Sequence, residues 1–244
     1  MRLFHFLKNK KKCFILLFLF TFYGFSQTFP IEGEQESGFY PIFDGKTLEG
    51  WQGDPEYWSV KDGAIVGEVR ADNLLSENSF LIYNDSIHGD FELKVHFKVS
   101  EKGNSGINYR SSKVPNRRYA LKGYQADIDG QQMWTGQNYE ERGRTFLALR
   151  GQVTSIKNDK TPELIGSVGT KALLASHIRP LSWNEYHLII RSNILIHMIN
   201  KKVMSITIDD DDQNRKFGGW LGVQVHVGPP MKIAYKNFRV KKLE

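Results

Sequence analysis

Two stretches of this chain concentrate side chains that can move protons and bind hydroxyls. Lys122 to Gly151 reads KGYQADIDGQQMWTGQNYEERGRTFLALRG, with acids, bases and amides set among aromatics and glycines. Gly222 to Gly228 sets Gln224 and His226 among glycines and valines. Asp127 and Glu140 can take a proton. His226 can give one, or bind a metal. Arg110 and Arg144 can hold a carbonyl oxygen. Asn104, Asn108, Gln125 and Gln224 suit hydroxyl groups, and Tyr124 and Tyr139 offer aromatic faces. A sugar asks for this mixture.

Strand geometry must bring these groups together. Side chains alternate along a strand, so Gln125, Asp127 and Asp129 share one face while Tyr124, Ala126 and Ile128 take the other. Gln224 and His226 likewise oppose Leu221, Val223, Val225 and Val227, and Asn108 shares a face with Arg110. If these three strands are neighbours, one patch gathers Asn108, Arg110, Gln125, Asp127, Gln224 and His226. Two plainer readings compete: Arg110 and Glu140 as a structural ion pair, and His226 as an incidental histidine on a solvated face.

Other candidates carry less. His88 and His96 read as surface histidines, and His177, His187 and His197 share no metal-ligand spacing. Asp209 to Asp212 lacks the glycine and terminal glutamate of a calcium loop and reads as a solvated turn. The chain holds no P-loop, GxSxG or HExxH motif.

The supporting elements read as strands. Phe91 to Val99 alternates apolar with polar, the mark of a half-buried strand. Strands are also predicted at 64–68, 80–83, 107–110, 146–149, 152–156, 186–191, 194–199, 203–208, 220–227 and 232–240. Residues 158–169 read as irregular and 172–178 as a short helix. Short strands separated by turn signals predict an antiparallel sandwich or barrel.

The first residues are of another kind. Five basic residues precede an apolar run from Cys13 to Phe22, and Gly24-Phe25-Ser26 ends in small residues. This predicts a signal peptide over 1–26, a short lead-in over 27–38 and one domain over 39–244. An uncleaved anchor is the alternative. The full chain has a net charge of +6, but 5 of its 33 Lys and Arg lie in the signal, leaving 28 against 27 Asp and Glu. Near neutrality gives no footing for nucleic-acid binding. The single cysteine leaves with the signal, so the mature chain has no disulfide or thiolate. A periplasmic or secreted bacterial protein is expected, with no stable membrane association after cleavage.

With these motifs in order, the chain resembles the 3-keto-disaccharide hydrolase family. The resemblance rests on Phe43-Asp44-Gly45-Lys46-Thr47-Leu48-Glu49-Gly50-Trp51, Gly103-Asn104-Ser105-Gly106-Ile107, Gly123-Tyr124-Gln125-Ala126-Asp127, Tyr139-Glu140-Glu141, Trp183-Asn184-Glu185-Tyr186 and Gly222 to Pro230. Many relatives read Glu-x-Gln where this chain has Gln125-Ala126-Asp127. The resemblance implies an all-β, concanavalin A-like jelly-roll sandwich acting on an oligosaccharide or 3-keto-glycoside.

A ketone at C3 acidifies the C2 hydrogen. A base, Asp127 or Glu140, can remove it; the C1 oxygen then leaves by β-elimination, and water adds back. Under this resemblance His226 serves as acid to the leaving group, or as a ligand if a divalent metal ion is used. Arg110 and Arg144 hold the carbonyl oxygen. A glycosidase on unoxidised glycans, with a carboxylate pair, and a carbohydrate-binding module remain the competing readings.

Overall fold

A computed structural model describes residues 38–158 and 160–244. The segments read as signal and lead-in lie outside these residues, except for Gly38. The first strands are β1 (Tyr40–Pro41), β2 (Trp51–Gln52), β3 (Trp58–Lys61), β4 (Ala64–Val69), β5 (Ser79–His88) and β6 (Phe91–Val99). There follow β7 (Asn104–Lys113), β8 (Leu121–Asp129), β9 (Asn138–Glu141), β10 (Thr145–Ala148), β11 (Gln152–Lys157) and β12 (Glu163–Ser167). After helix α1 (Lys171–Ala175) come β13 (Asn184–Arg191), β14 (Ile194–Ile199), β15 (Lys202–Asp210), β16 (Gly218–Val225) and β17 (Met231–Lys242).

Two sheets result. The larger runs β12-β11-β15-β14-β13-β6-β17-β4-β3, with β1 pairing the far end of β17. The smaller runs β10-β9-β8-β7-β16-β5-β2. Nearly all pairing is antiparallel, but β11 and β15 run parallel from Val153↔Ile206 to Lys157↔Asp210. The alternation seen in the sequence sets which side is buried. In β6, Phe91, Leu93, Val95, Phe97 and Val99 are buried while the residues between them are not. Tyr109 and Tyr124 of the smaller sheet stack in the core at 5.5 Å, and Tyr186 and Tyr235 of the larger sheet are fully buried. This is the all-β sandwich that the sequence predicts.

Three local readings change. Residues 163–167 form an edge strand on β11, where an irregular segment was expected, because backbone pairing there does not need an apolar face. The acidic run is not a solvated turn: Asp209 and Asp211 are each 1% exposed. β16 stops at Val225, which places His226 in the following loop.

Candidate active-site cleft

The strands β8, β7 and β16 are neighbours, as the patch requires. Gly106 pairs with Asp127, Asn108 with Gln125 and Gly222 with Asn108. Gly106 is a necessity here. A Cβ on it would lie 2.5 Å from Gln125 Cγ, so only glycine lets Gln125 lie across β7. Phe80, Ile82, Leu121 and Trp220 fill one end of this outer face. The other end stays open as a cleft of about 480 Å³.

Gln125, Asp127, Tyr139, His226 and Asn104 line that cleft. Asp127 is 8% exposed and accepts a hydrogen bond from the Gln137 side chain. Burial raises its pKa well above the usual carboxylate value; the Gln137 bond opposes this, and the charges of Asp129 and Glu141 add to it. Tyr139 is raised by burial and by Glu141 and Asp127. Gln224 reaches the cleft's carboxylate, its amide lying 3.4 Å from Glu141 Oε2.

Four sequence candidates sit elsewhere. Glu140 and Tyr124 are register partners whose side chains face inward between the sheets. There Arg144 binds Glu140 at 2.6 Å, grips Asp209 with two nitrogens at 2.9 and 2.7 Å, and reaches Asp211 at 3.2 Å. Tyr124 donates its hydroxyl to Asp209. Burial opposes the Arg144 charge, but its bonds to Asp209 and Glu140 outweigh this and lift its pKa. Arg110 lies within a bulge in β7 with φ +44°, which turns it out of the patch. Its guanidinium binds the carbonyls of Ser192, Lys216 and Gly89, with Asp90 at 3.4 Å, so it pairs with neither Glu140 nor the cleft. Asn108 keeps the expected face but is fully buried, accepting from Gln125 at 2.8 Å.

The structure supplies the residues that were missed. Glu141 takes the place expected for Glu140, held by Asn78, Gln224 and Arg142. Arg142 is the guanidinium that lines the cleft, and Gln137 orients Asp127. Trp134, Phe146 and Tyr139 form an aromatic wall, with ring centroids 5.5 Å and 5.3 Å apart. Strand parity could have found Glu141, since it shares a face with Tyr139. Trp134 lies on a loop with no periodicity to expose it.

That loop is fixed from both sides. The Asp129 carboxylate accepts from the backbone N–H groups of Met133, Trp134 and Thr135. Arg150 donates to the carbonyls of Thr135 and Gln132. Two buried charges thus clamp the loop that carries the wall.

The family model described as the 3-keto-alpha-glucoside-1,2-lyase-like domain matches residues 38–241. The chain belongs to this family. A 3-keto-disaccharide hydrolase from Bacteroides thetaiotaomicron is 36% identical over 87 residues, a match covering 33% of this chain and 30% of that protein. Family and relative together set the chain among carbohydrate-active proteins. Solved structures share the fold. A candidate glycosyl hydrolase from Parabacteroides distasonis superposes with a TM-score of 0.57 at 19% identity, over 85% of this chain and 94% of that one. A carbohydrate binding module from Bacillus subtilis gives 0.51 at 13% identity, over 79% and 96%.

Among the described residues, no group of three or more His, Cys, Asp or Glu is placed to hold a metal ion. His226 belongs to no such group.

Proposed function

We propose that this protein cleaves glycosides oxidised at C3, by elimination across C1–C2 followed by hydration. The observation that carries the reading is one cleft in which Asp127 and Glu141 face a wall of Trp134, Phe146 and Tyr139. Family membership supports an oxidised sugar as the substrate.

Asp127 is the base. A carboxylate held above its ordinary pKa is a stronger base, better matched to a C2 hydrogen acidified by the adjacent ketone. The C2 proton passes to Asp127, the C1–O bond breaks, and its electron pair leaves with the aglycone oxygen, which takes a proton from His226. Arg142, which lines the cleft, binds the enolate oxygen in this reading. Water then adds to C1 and a proton returns to C2, completing hydrolysis. Glu141, anchored by Asn78 and Gln224, binds ring hydroxyls and orients the water. Action outside the cytoplasm belongs to the same proposal and rests on the signal-like segment of residues 1–26.

A time course in D₂O with methyl 3-keto-glucoside and its unoxidised parent tests this. Release of 3-keto-glucose from the oxidised substrate alone, carrying deuterium at C2, is expected. Cleavage of the parent would make the protein an ordinary glycosidase. Saturable binding without turnover would make it a binding module.

A further inference from the structure

The cleft does not end at His226. A second cavity of about 340 Å³ adjoins the first and shares Asn104, Trp134 and His226 with it. Both fall in the size range of small-molecule sites. The two lobes differ in chemistry. The first is walled by Asp127, Glu141, Gln125 and Gln137, all buried and placed by hydrogen bonds. The second is lined by Met133, Val227, Pro229 and Met231. Its one buried carboxylate, Asp129, is already engaged by the N–H groups of the 133–135 loop. Apart from Asn104, Trp134 and His226, which it shares with the first lobe, its polar side chains are Lys102 and Gln131, and both are exposed.

We infer that the second lobe is the leaving-group subsite and that it takes an apolar aglycone in preference to a second sugar. The inference rests on the 3-keto-glycoside reading above. The shared wall fixes the geometry: the sugar ring fills the acidic lobe, His226 stands at the junction beside the glycosidic oxygen, and the group beyond enters the second lobe. A second sugar there would need several fixed donors and acceptors for its hydroxyls, and the lobe offers few. An apolar group would instead cover Met133 and Val227, which are 49% and 38% exposed. These two side chains, beside a built site, offer an apolar group a surface to cover. The thioether of Met133 adapts to varied shapes, while its backbone is held by Asp129 at 2.9 Å. The lobe is therefore fixed in position and tolerant in shape.

The test compares three 3-keto-glucosides whose leaving groups are all simple alkoxides of similar acidity: methyl, cyclohexylmethyl, and a glucose attached through its primary hydroxyl. The cyclohexylmethyl glycoside should show kcat/KM at least tenfold above the other two. Met133→Glu and Val227→Asp should each bring that ratio down toward one. Turnover of all three at equal kcat/KM, or preference for the glucosyl group, overturns the subsite while leaving the reaction standing. No turnover of the methyl glycoside overturns the reaction itself, and the subsite with it.

Discussion

Glu140 and Glu141 are adjacent in the chain and face opposite sides of the smaller sheet. Glu140 points between the sheets to Arg144, and Glu141 points into the cleft beside Gln224 and Asn78. The two substitutions should therefore separate folding from catalysis. Glu141→Gln should lower turnover of a 3-keto-glucoside by roughly 10²-fold or more, with an unchanged melting temperature. Glu140→Gln removes one of three carboxylate partners of the partly buried Arg144 guanidinium and should cost about 1–3 kcal/mol of stability. Thermal melts and initial rates on both variants check this; equal turnover loss in both, with neither destabilised, would contradict it.

Asp127 should be a stability liability. Its folded pKa is raised, so between its ordinary value of 3.8 and the raised value the folded state binds more protons than the unfolded one. Stability is then lost as pH rises through that window. Asp127→Asn keeps the Gln137 bond and removes the buried charge. It should stabilise the protein at pH 7 by on the order of 1 kcal/mol, and the gain should vanish near pH 3. Turnover should collapse at every pH. In the parent protein, the acid limb of kcat/KM should lie well above the ordinary carboxylate range. Urea melts at the two pH values read the first effect and a pH–rate profile the second. A less stable Asp127→Asn at pH 7 would refute the assignment.

Much of this site was legible beforehand, and the remainder shows what alternation can and cannot carry. Period two placed Gln125 and Asp127 on the open face and Tyr124 on the opposite one, since nothing interrupts β8. It also held the information about Glu141, which the density of charge around it obscured. Arg110 broke the rule because the bulge in β7 rotates one residue out of phase, and a positive φ at an arginine leaves no mark in sequence. Trp134 and Gln137 depend on a loop whose shape comes from Asp129 and Arg150, the latter 15 residues beyond Thr135. Contacts of that kind have no local pattern.

His197 should make the fold acid-sensitive. It is fully buried, its Nε2 lying 2.9 Å from the Tyr109 hydroxyl and its Nδ1 3.2 Å from the Gln137 carbonyl. Nδ1 therefore carries the proton and Nε2 accepts from Tyr109. Burial lowers its pKa from 6.5 to about 3, against the pull of the Gln137 carbonyl. The unfolded chain thus binds more protons than the folded one between pH 6.5 and 3, and stability falls as pH drops through that window. The full loss is on the order of 4–5 kcal/mol. His197→Gln should be less stable at pH 7 yet show a smaller further loss by pH 4. Denaturant midpoints at both pH values decide this; parallel losses in parent and variant would argue against it.

Phe146 should act on binding alone. Its ring is 46% exposed and meets Tyr139 edge-on at 5.3 Å and Trp134 at 5.5 Å, so its free surface faces the cleft rather than the core. Phe146→Ala removes a stacking face without opening a core cavity. An aromatic contact of this kind contributes ~0.5–1.5 kcal/mol, which sets the expected rise in KM at roughly 2- to 10-fold. The groups that move protons, Asp127 and His226, are not touched by the change, so kcat should hold within about twofold and the melting temperature within a degree or two. The split matters. A variant that loses kcat at constant KM would put the ring beside the reacting carbons instead of along the sugar face, and one that melts several degrees lower would make Phe146 part of the packing beneath β9 and β10.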